Sequence, residues 1–181
     1  MRRKINNIVS VICSFFRFSI MRVIHGKALS VSGVERFSPN VVFEMNKGAH
    51  ASIGKKVRVH SGSKIKIRKN GELYIGQGVK MNYNCIVVCR KEINIGAGTE
   101  FGPNVCIYDH DHDYSVGLKN NKFTEERISI GSNCWVGANT IILKGTTIGD
   151  DCVIGAGSII TGTIPSKTLL IQKRENQYKT I

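Results

Sequence analysis

The feature that most constrains this chain is a spacing of six. From Ile130 to Ile160 a branched aliphatic residue returns at every sixth position: Ile130, Val136, Ile142, Ile148, Ile154 and Ile160. Gly131, Gly137, Gly149 and Gly155 each follow one of these directly. Four positions after each aliphatic stands a small or β-branched residue, namely Cys134, Thr140, Thr146, Cys152, Ser158 and then Ile164. A period of six is neither the 3.6 of an α-helix nor the 2 of a half-buried strand. It suits a coil of three six-residue sides, stacked on copies of itself. Each aliphatic is expected to point inward, with the glycine allowing the tight turn that follows.

The repeat is traceable upstream in a looser form. Leu29/Val31, Ala51/Ile53, Leu73/Ile75 and Ile93/Ile95 mark successive coil starts, at steps of 22, 22 and 20 residues. Ile53, Val59 and Ile65, then Ile75, Met81 and Val87, then Ile95, Phe101 and Ile107 continue the hexads within coils. The extra residues are expected at corners, as at Lys69-Asn70-Gly71. The next start, Ile128/Ile130, comes 35 residues after Ile93/Ile95, so roughly fifteen residues near 109–127 should leave the prism as a protruding loop. The expected fold is all-β, a parallel β-helix of hexapeptide repeats over 29–165, about seven coils high. An amphipathic helix precedes it in 1–28, and 166–181 read as a basic tail.

Composition fits a narrow aliphatic core, with 41% hydrophobic residues but only 7% aromatics in 181 residues. The formal net charge of +13 favours anionic partners. Nucleic acid is not expected among them, since the basic residues have neither interleaved aromatics nor a helix to enter a groove. The cluster of Lys55, Lys56, Arg58, Lys64, Lys66, Arg68 and Lys69 reads as a solvated outer face. None of the six cysteines has zinc-ligand spacing, and Cys85, Cys134 and Cys152 occupy the small slot of a hexad, so buried reduced thiols and a cytoplasmic setting are expected.

Residues 2–25 place Ile5, Ile8, Val9, Ile12, Phe15, Phe16, Ile20 and Val23 on one helical arc, opposite Asn6, Asn7, Ser10, Ser14 and Arg17. No acid occurs in residues 1–34. Two uses follow: capping the open end of the prism or a neighbouring subunit, or lying on anionic lipid at the inner face of a membrane. No bilayer span is expected, because Arg17 and Arg22 interrupt the apolar run, and no small-x-small site marks a signal peptide.

Chemistry concentrates where the chain leaves the prism. Tyr108-Asp109-His110-Asp111-His112-Asp113-Tyr114 brings two histidines among carboxylates. A carboxylate that accepts the Nδ1 proton fixes the tautomer and frees Nε2 as a general base.

At these residues residues 75–165 resemble the hexapeptide-repeat acyltransferases, in particular the maltose and galactoside O-acetyltransferase branch and its polysaccharide-modifying relatives. Asn82-Tyr83-Asn84-Cys85 is similar to that branch's Asn-aromatic-Asn motif, and Ile130 to Gly137 to its IGxNxWIG signature. His112-Asp113-Tyr114 resembles the His-Asp-Tyr of capsule and exopolysaccharide acetyltransferases. The resemblance implies a left-handed coil and a homotrimer with sites between prisms. It further implies acetyl-CoA as acyl donor and a sugar or glycan hydroxyl as acceptor. His112 aligns with the general base, supported by His110, Asp111, Asp113 and Tyr114. Asn82 would hold the acceptor or acetyl group, and the Ala138 N–H the oxyanion. Trp135, Gly137, Ala138, Lys144, Ala156, Thr161 and Pro165 would border the cofactor groove, with Lys173 and Arg174 near the CoA phosphates. The chain departs from the pattern at Cys89-Arg90, where the galactoside branch has an acceptor-binding Asp. It departs again at Lys144, which replaces a proline, and at Leu170 to Arg174, which replace a GNPA turn. The alternatives are N-acylation of an amino-sugar nucleotide or antibiotic, a non-catalytic scaffold, and a zinc enzyme of the γ-carbonic-anhydrase kind. The last would need His50 or His60 to join His110 and His112.

Overall fold

The computed structural model describes all residues except 1, 118–120, 174, 176 and 181. Helix α1 (Arg2–His25) leads into a parallel β-solenoid. The first coil is β1 (Leu29–Val31), β2 (Arg36–Phe37) and β3 (Val42–Met45). The second is β4 (His50–Ile53), β5 (Arg58–Val59) and β6 (Lys64–Ile67). The third is β7 (Glu72–Ile75), β8 (Lys80–Met81) and β9 (Ile86–Cys89), and the fourth β10 (Glu92–Ile95), β11 (Glu100–Phe101) and β12 (Cys106–Tyr108). An arm of β13 (His110–His112) and β14 (Phe123–Glu125) intervenes. The fifth coil is β15 (Ile128–Ile130), β16 (Trp135–Val136) and β17 (Ile141–Leu143). The sixth is β18 (Thr147–Ile148), β19 (Val153–Ile154) and β20 (Ile159–Ile160), and β21 (Thr163–Ile164) and β22 (Leu169–Leu170) begin a seventh. The first strands of the coils form one seven-stranded face, the second strands another, and the third strands a six-stranded face. The coil therefore continues past residue 165, where the hexad pattern was expected to end. Gln172 closes the far end by bonding both the N–H and C=O of Ile159 (2.9 and 2.7 Å).

The six-residue period resolves into three stacked columns. Register partners on the first face are Val31, Ile53, Ile75, Ile95, Ile130, Ile148 and Ile164. The second face stacks Phe37, Val59, Met81, Phe101, Val136, Ile154 and Leu170. The third stacks Phe43, Ile65, Val87, Ile107, Ile142 and Ile160. Nearly all of these are buried, at about 1.5–3 kcal/mol for a fully buried aliphatic side chain. The small slot has its own reason. Thr99 Oγ1 donates to the Gly131 carbonyl (2.7 Å), and the Cys134 and Cys152 thiols reach the Gly149 and Pro165 carbonyls (3.1 Å each). Larger side chains would block these coil-to-coil bonds. Cys85, Cys134 and Cys152 are buried free thiols, as their slot implied.

The glycine after each aliphatic serves a different purpose from the one expected. Gly131, Gly137, Gly149 and Gly155 do not have positive φ. The left-handed residue comes two positions later, at Asn133, Asn139, Asp151 and Gly157. What excludes a side chain at Gly137 is the next coil: a Cβ there would lie 2.5 Å from the Ala156 nitrogen.

Helix α1 caps the first coil with its polar side. Phe37, on β2, points its N–H and C=O away from the second coil, and both meet Ser14 Oγ (2.8 and 3.3 Å). Arg17 donates to the Pro39 carbonyl (2.9 Å) and Arg22 to that of Val31. Phe18 supplies the buried apolar plug, edge-on to Phe37 and Phe43 at 5.0 and 5.5 Å, with the partly buried Met21 also packed against the core. The open end of a parallel stack exposes unpaired backbone groups as well as apolar side chains, so its cap must carry hydrogen-bonding groups. The capping expectation thus holds with the helix turned over. The arc from Ile5 to Val23 faces outward, its eight members 41–87% exposed. The expectation on membrane spans is corrected as well. Ile5–Ala28 is long and apolar enough to cross a bilayer by length and composition, with a mean hydropathy of 1.6, because two arginines do not offset so many aliphatics.

Candidate active site

The columns leave three corners, and the candidate residues fall on different ones. The corner between the second and third faces carries, coil by coil, Ser38, His60-Ser61, Asn82-Tyr83, Gly102-Pro103, Gly137-Ala138 and Ala156. Backbone bonds tie it vertically: Asn84 to Ser61, Asn104 to Tyr83, Asn139 to Pro103 and Gly157 to Ala138 (2.7–3.1 Å). Side chains stay small from Gly102 upward, where a Cβ on Gly102 would meet the Ala138 nitrogen at 2.7 Å. Among the described residues the Ala138 N–H donates to no protein acceptor. Asn82 is half-buried, and its Oδ1 accepts the Tyr83 N–H (2.9 Å), which directs its amide NH2 outward as a donor.

The corner between the third and first faces carries the arm. The expected loop is here an antiparallel pair, with His110, Asp111 and His112 opposite Glu125, Thr124 and Phe123. Asp109 at its root is fully buried and accepts the N–H groups of Arg90 (2.8 and 2.9 Å) and Lys91 (2.7 Å). The carboxylate contact to an imidazole falls on His110, whose Nδ1 lies 3.0 Å from Asp109 Oδ1. His112, further out and exposed, rests its ring on Phe123 with centroids 4.6 Å apart. The Arg90 guanidinium covers that same ring at 3.5 Å, so the Arg found in place of an acid here supports the arm. Asp111 Oδ1 accepts the His112 N–H (2.8 Å). Hydrogen bonds from Ser115 hold the Asp113 carboxyl below its usual range, and Tyr114 is exposed.

Of the residues expected near a cofactor, Gly137, Ala138 and Ala156 share the small-residue corner, and Trp135 stands half-exposed on the second face beside it. Lys144 instead braces the arm, donating to Thr124 Oγ1 (2.9 Å) near Glu126. Thr161 lies at the arm's corner two coils on, Pro165 at the remaining corner, and Lys173 is exposed beyond the last strand. Arg174 lies outside the described residues. A four-residue strand such as β9 spans about 13 Å, so one face separates the His112 corner from the Asn82–Ala138 corner within a chain. Among the described residues no three His, Cys, Asp or Glu side chains gather in metal-binding geometry, and His60 packs against Tyr83 instead.

Coils of three six-residue sides with small-residue corners and a histidine-bearing arm define a hexapeptide-repeat β-solenoid. The family model described as the hexapeptide repeat of succinyl-transferase matches residues 127–162. The chain is 43% identical to nodulation protein L of Rhizobium leguminosarum bv. viciae over 74 residues, 40% of this chain and 39% of that protein. It is 37% identical to the galactoside O-acetyltransferase of Lactococcus lactis subsp. lactis (strain IL1403) over 98 residues, 54% and 47% of the two chains. Among solved structures it is similar to a maltose O-acetyltransferase from Clostridium difficile 630, with a TM-score of 0.56 and 36% identity. That match covers 64% of this chain and 62% of the other. The chain thus spans roughly two fifths to one half of the curated relatives it matches.

Sequence reasoning passed over Phe123, which lies opposite His112 on the arm. Its signal was an aromatic residue within the stretch expected to leave the prism.

Proposed function

We propose that this protein is an acetyl-CoA-dependent O-acetyltransferase that esterifies a sugar hydroxyl of a cell-surface glycan or its precursor. The observation that carries this is the Ala138 N–H, which has no acceptor among the described residues, on a corner of small residues two coils from the outward amide of Asn82. A backbone donor of this kind stabilises a developing oxyanion. Small residues let a thioester approach the backbone closely, so the corner fits the pantetheine arm, with the exposed Lys173 as a cation for the phosphates. His112 takes the acceptor hydroxyl's proton as its oxygen bonds to the acetyl carbonyl carbon, and the oxyanion forms at Ala138. The C–S bond then breaks, and the proton passes to the CoA sulfur.

His112 and Ala138 lie on different corners, so the site is completed by a neighbouring copy in a homotrimer, the arm of one prism facing the small-residue corner of the next. The outward apolar arc of α1, with Arg2, Arg3, Lys4 and Lys27 and no acid before Glu35, supports a peripheral association of the protein with the anionic cytoplasmic face of a membrane as part of this reading.

His112→Ala should lower kcat about 10²–10⁴-fold while leaving acetyl-CoA affinity nearly unchanged. Asn82→Ala should be similarly impaired. Coexpressing the two inactive chains should recover part of the activity, because mixed trimers contain some sites with both residues intact. Unchanged turnover in His112→Ala would sink the base assignment, and absence of recovery would sink the shared site.

A further inference from the structure

Resting on that reading, we infer that Phe123 is a positioning residue for the base: its ring sets the plane of the His112 imidazole, and Arg90 and His110 hold the ring. A general base acts only when its nitrogen comes within about 2.6–3.2 Å of the proton it takes. The usual device for aiming an imidazole is a carboxylate on its other nitrogen, and here that contact falls on His110. Asp111 reaches only the backbone N–H of His112, and among the described residues no hydrogen bond engages the His112 ring nitrogens. An exposed imidazole tied through its backbone alone is free to change rotamer. Its aim must therefore come from packing.

The arm supplies that packing. In a two-stranded ladder alternate residues share a side, so His110 and His112 lie on one side with their register partners Glu125 and Phe123, while Asp111 and Thr124 lie on the other. His112 and Phe123 are direct partners, their ring planes 39° apart at a centroid distance of 4.6 Å. His110 stands diagonal to Phe123 and meets that ring edge-on, at 5.6 Å and 70°. The His110 ring is itself held, because its Nδ1 lies 3.0 Å from the fully buried Asp109 carboxylate, which accepts the Arg90 and Lys91 N–H groups. From the prism, the Arg90 guanidinium lies 3.5 Å from the Phe123 centroid and also reaches Glu125 at 3.6 Å. A planar guanidinium stacks on a ring as an ammonium does not, so Arg90 and His110 together give Phe123 little room to turn. The two histidines thus have separate tasks. His110 belongs to the support, and His112 to the chemistry.

The experiment has two readouts on the full chain. Without substrate, NMR of the His112 imidazole protons should show an upfield shift from the Phe123 ring, lost in Phe123→Leu and kept in Phe123→Tyr. Turnover is then followed as CoA release from acetyl-CoA with water as the probe acceptor, since the base activates either hydroxyl. Phe123→Leu should lower kcat about 10–10²-fold with the KM for acetyl-CoA unchanged, and Phe123→Tyr should restore most of it. In a His112→Ala background Phe123→Leu should cost nothing further, because a positioning residue has no effect once the group it positions is gone. Identical His112 signals in wild type and Phe123→Leu overturn the inference. So does undiminished kcat in Phe123→Leu, or an equal loss with His112 already removed. Unchanged turnover in His112→Ala beside an intact upfield shift would instead sink the base assignment, so the two failures are distinguishable.

Discussion

The outward face of α1 gives a prediction whose size can be worked from side-chain exposure. Phe15, Phe16 and Ile20 are 68%, 61% and 60% exposed, whereas the hydrogen bonds and buried ring that hold the helix on the prism come from Ser14, Arg17, Arg22 and Phe18. Fully burying such a side chain contributes about 1.5–3 kcal/mol. Insertion of the exposed six-tenths of each into the interfacial region is then worth about 1–2 kcal/mol, or about 3–6 kcal/mol for the three. Phe15→Ser/Phe16→Ser/Ile20→Ser should weaken partitioning onto anionic vesicles roughly 10²–10⁴-fold. The assay is cosedimentation with phosphatidylserine-containing and purely phosphatidylcholine vesicles, at low and physiological salt. Wild-type protein should favour the anionic vesicles, and the variant should lose binding to both while keeping its melting temperature. Equal vesicle binding by the two proteins would refute the reasoning. So would a drop in oligomer mass in the variant with no wild-type vesicle binding, since the arc would then pack against a second copy.

Three further perturbations test other parts of the structure. Burial pushes the Glu35 carboxyl up to about 7, and its Oε2 accepts the Val57 N–H while Oε1 has no hydrogen-bond partner among the described residues. Folded protein therefore binds the proton more tightly than unfolded chain. Stability should be full below about pH 4.5 as far as this group is concerned, then decline as pH rises to about 7 by at most about 3 kcal/mol. Melting from pH 5 to 8 should show that decline, and Glu35→Gln should flatten it; an unchanged slope refutes the assignment. Gly137→Ala forces a Cβ to 2.5 Å from the Ala156 nitrogen, so the fifth and sixth coils must part. The expected cost is about 1–3 kcal/mol, a fall in Tm of roughly 2–10 °C, accompanied by lost turnover as Ala138 shifts. Burial raises the Cys85 thiol to about 11 and the Cys89 thiol further, so native alkylation at pH 8 should mark only the half-buried Cys13 and Cys106, read by peptide mass mapping.

The solenoid was legible in the sequence because its determinant is local. An aliphatic every sixth residue and a small polar or thiol residue four later can be satisfied only by a coil that returns those positions to the same column. The His–Asp run at the point where the chain leaves the prism was legible for the same reason, since a 35-residue step cannot fit one coil. What periodicity does not encode is what a residue meets across coils or at a chain end. The glycines after each aliphatic were expected to serve the turn, and only the stacking of Gly137 on Ala156 reveals that the next coil's backbone excludes a side chain. The helical arc of apolar residues said that α1 has two faces but not which one docks. That was decided by the unpaired backbone of the first coil, which requires Ser14, Arg17 and Arg22 and turns Ile8, Phe15 and Phe16 outward. Sequence spacing likewise could not say that Asp109 engages His110 rather than His112, or that His112 rests on Phe123. The hexad specifies the prism by itself. Tertiary structure alone distributes its corners, because residues 22 or 35 apart in sequence become neighbours only once coils stack.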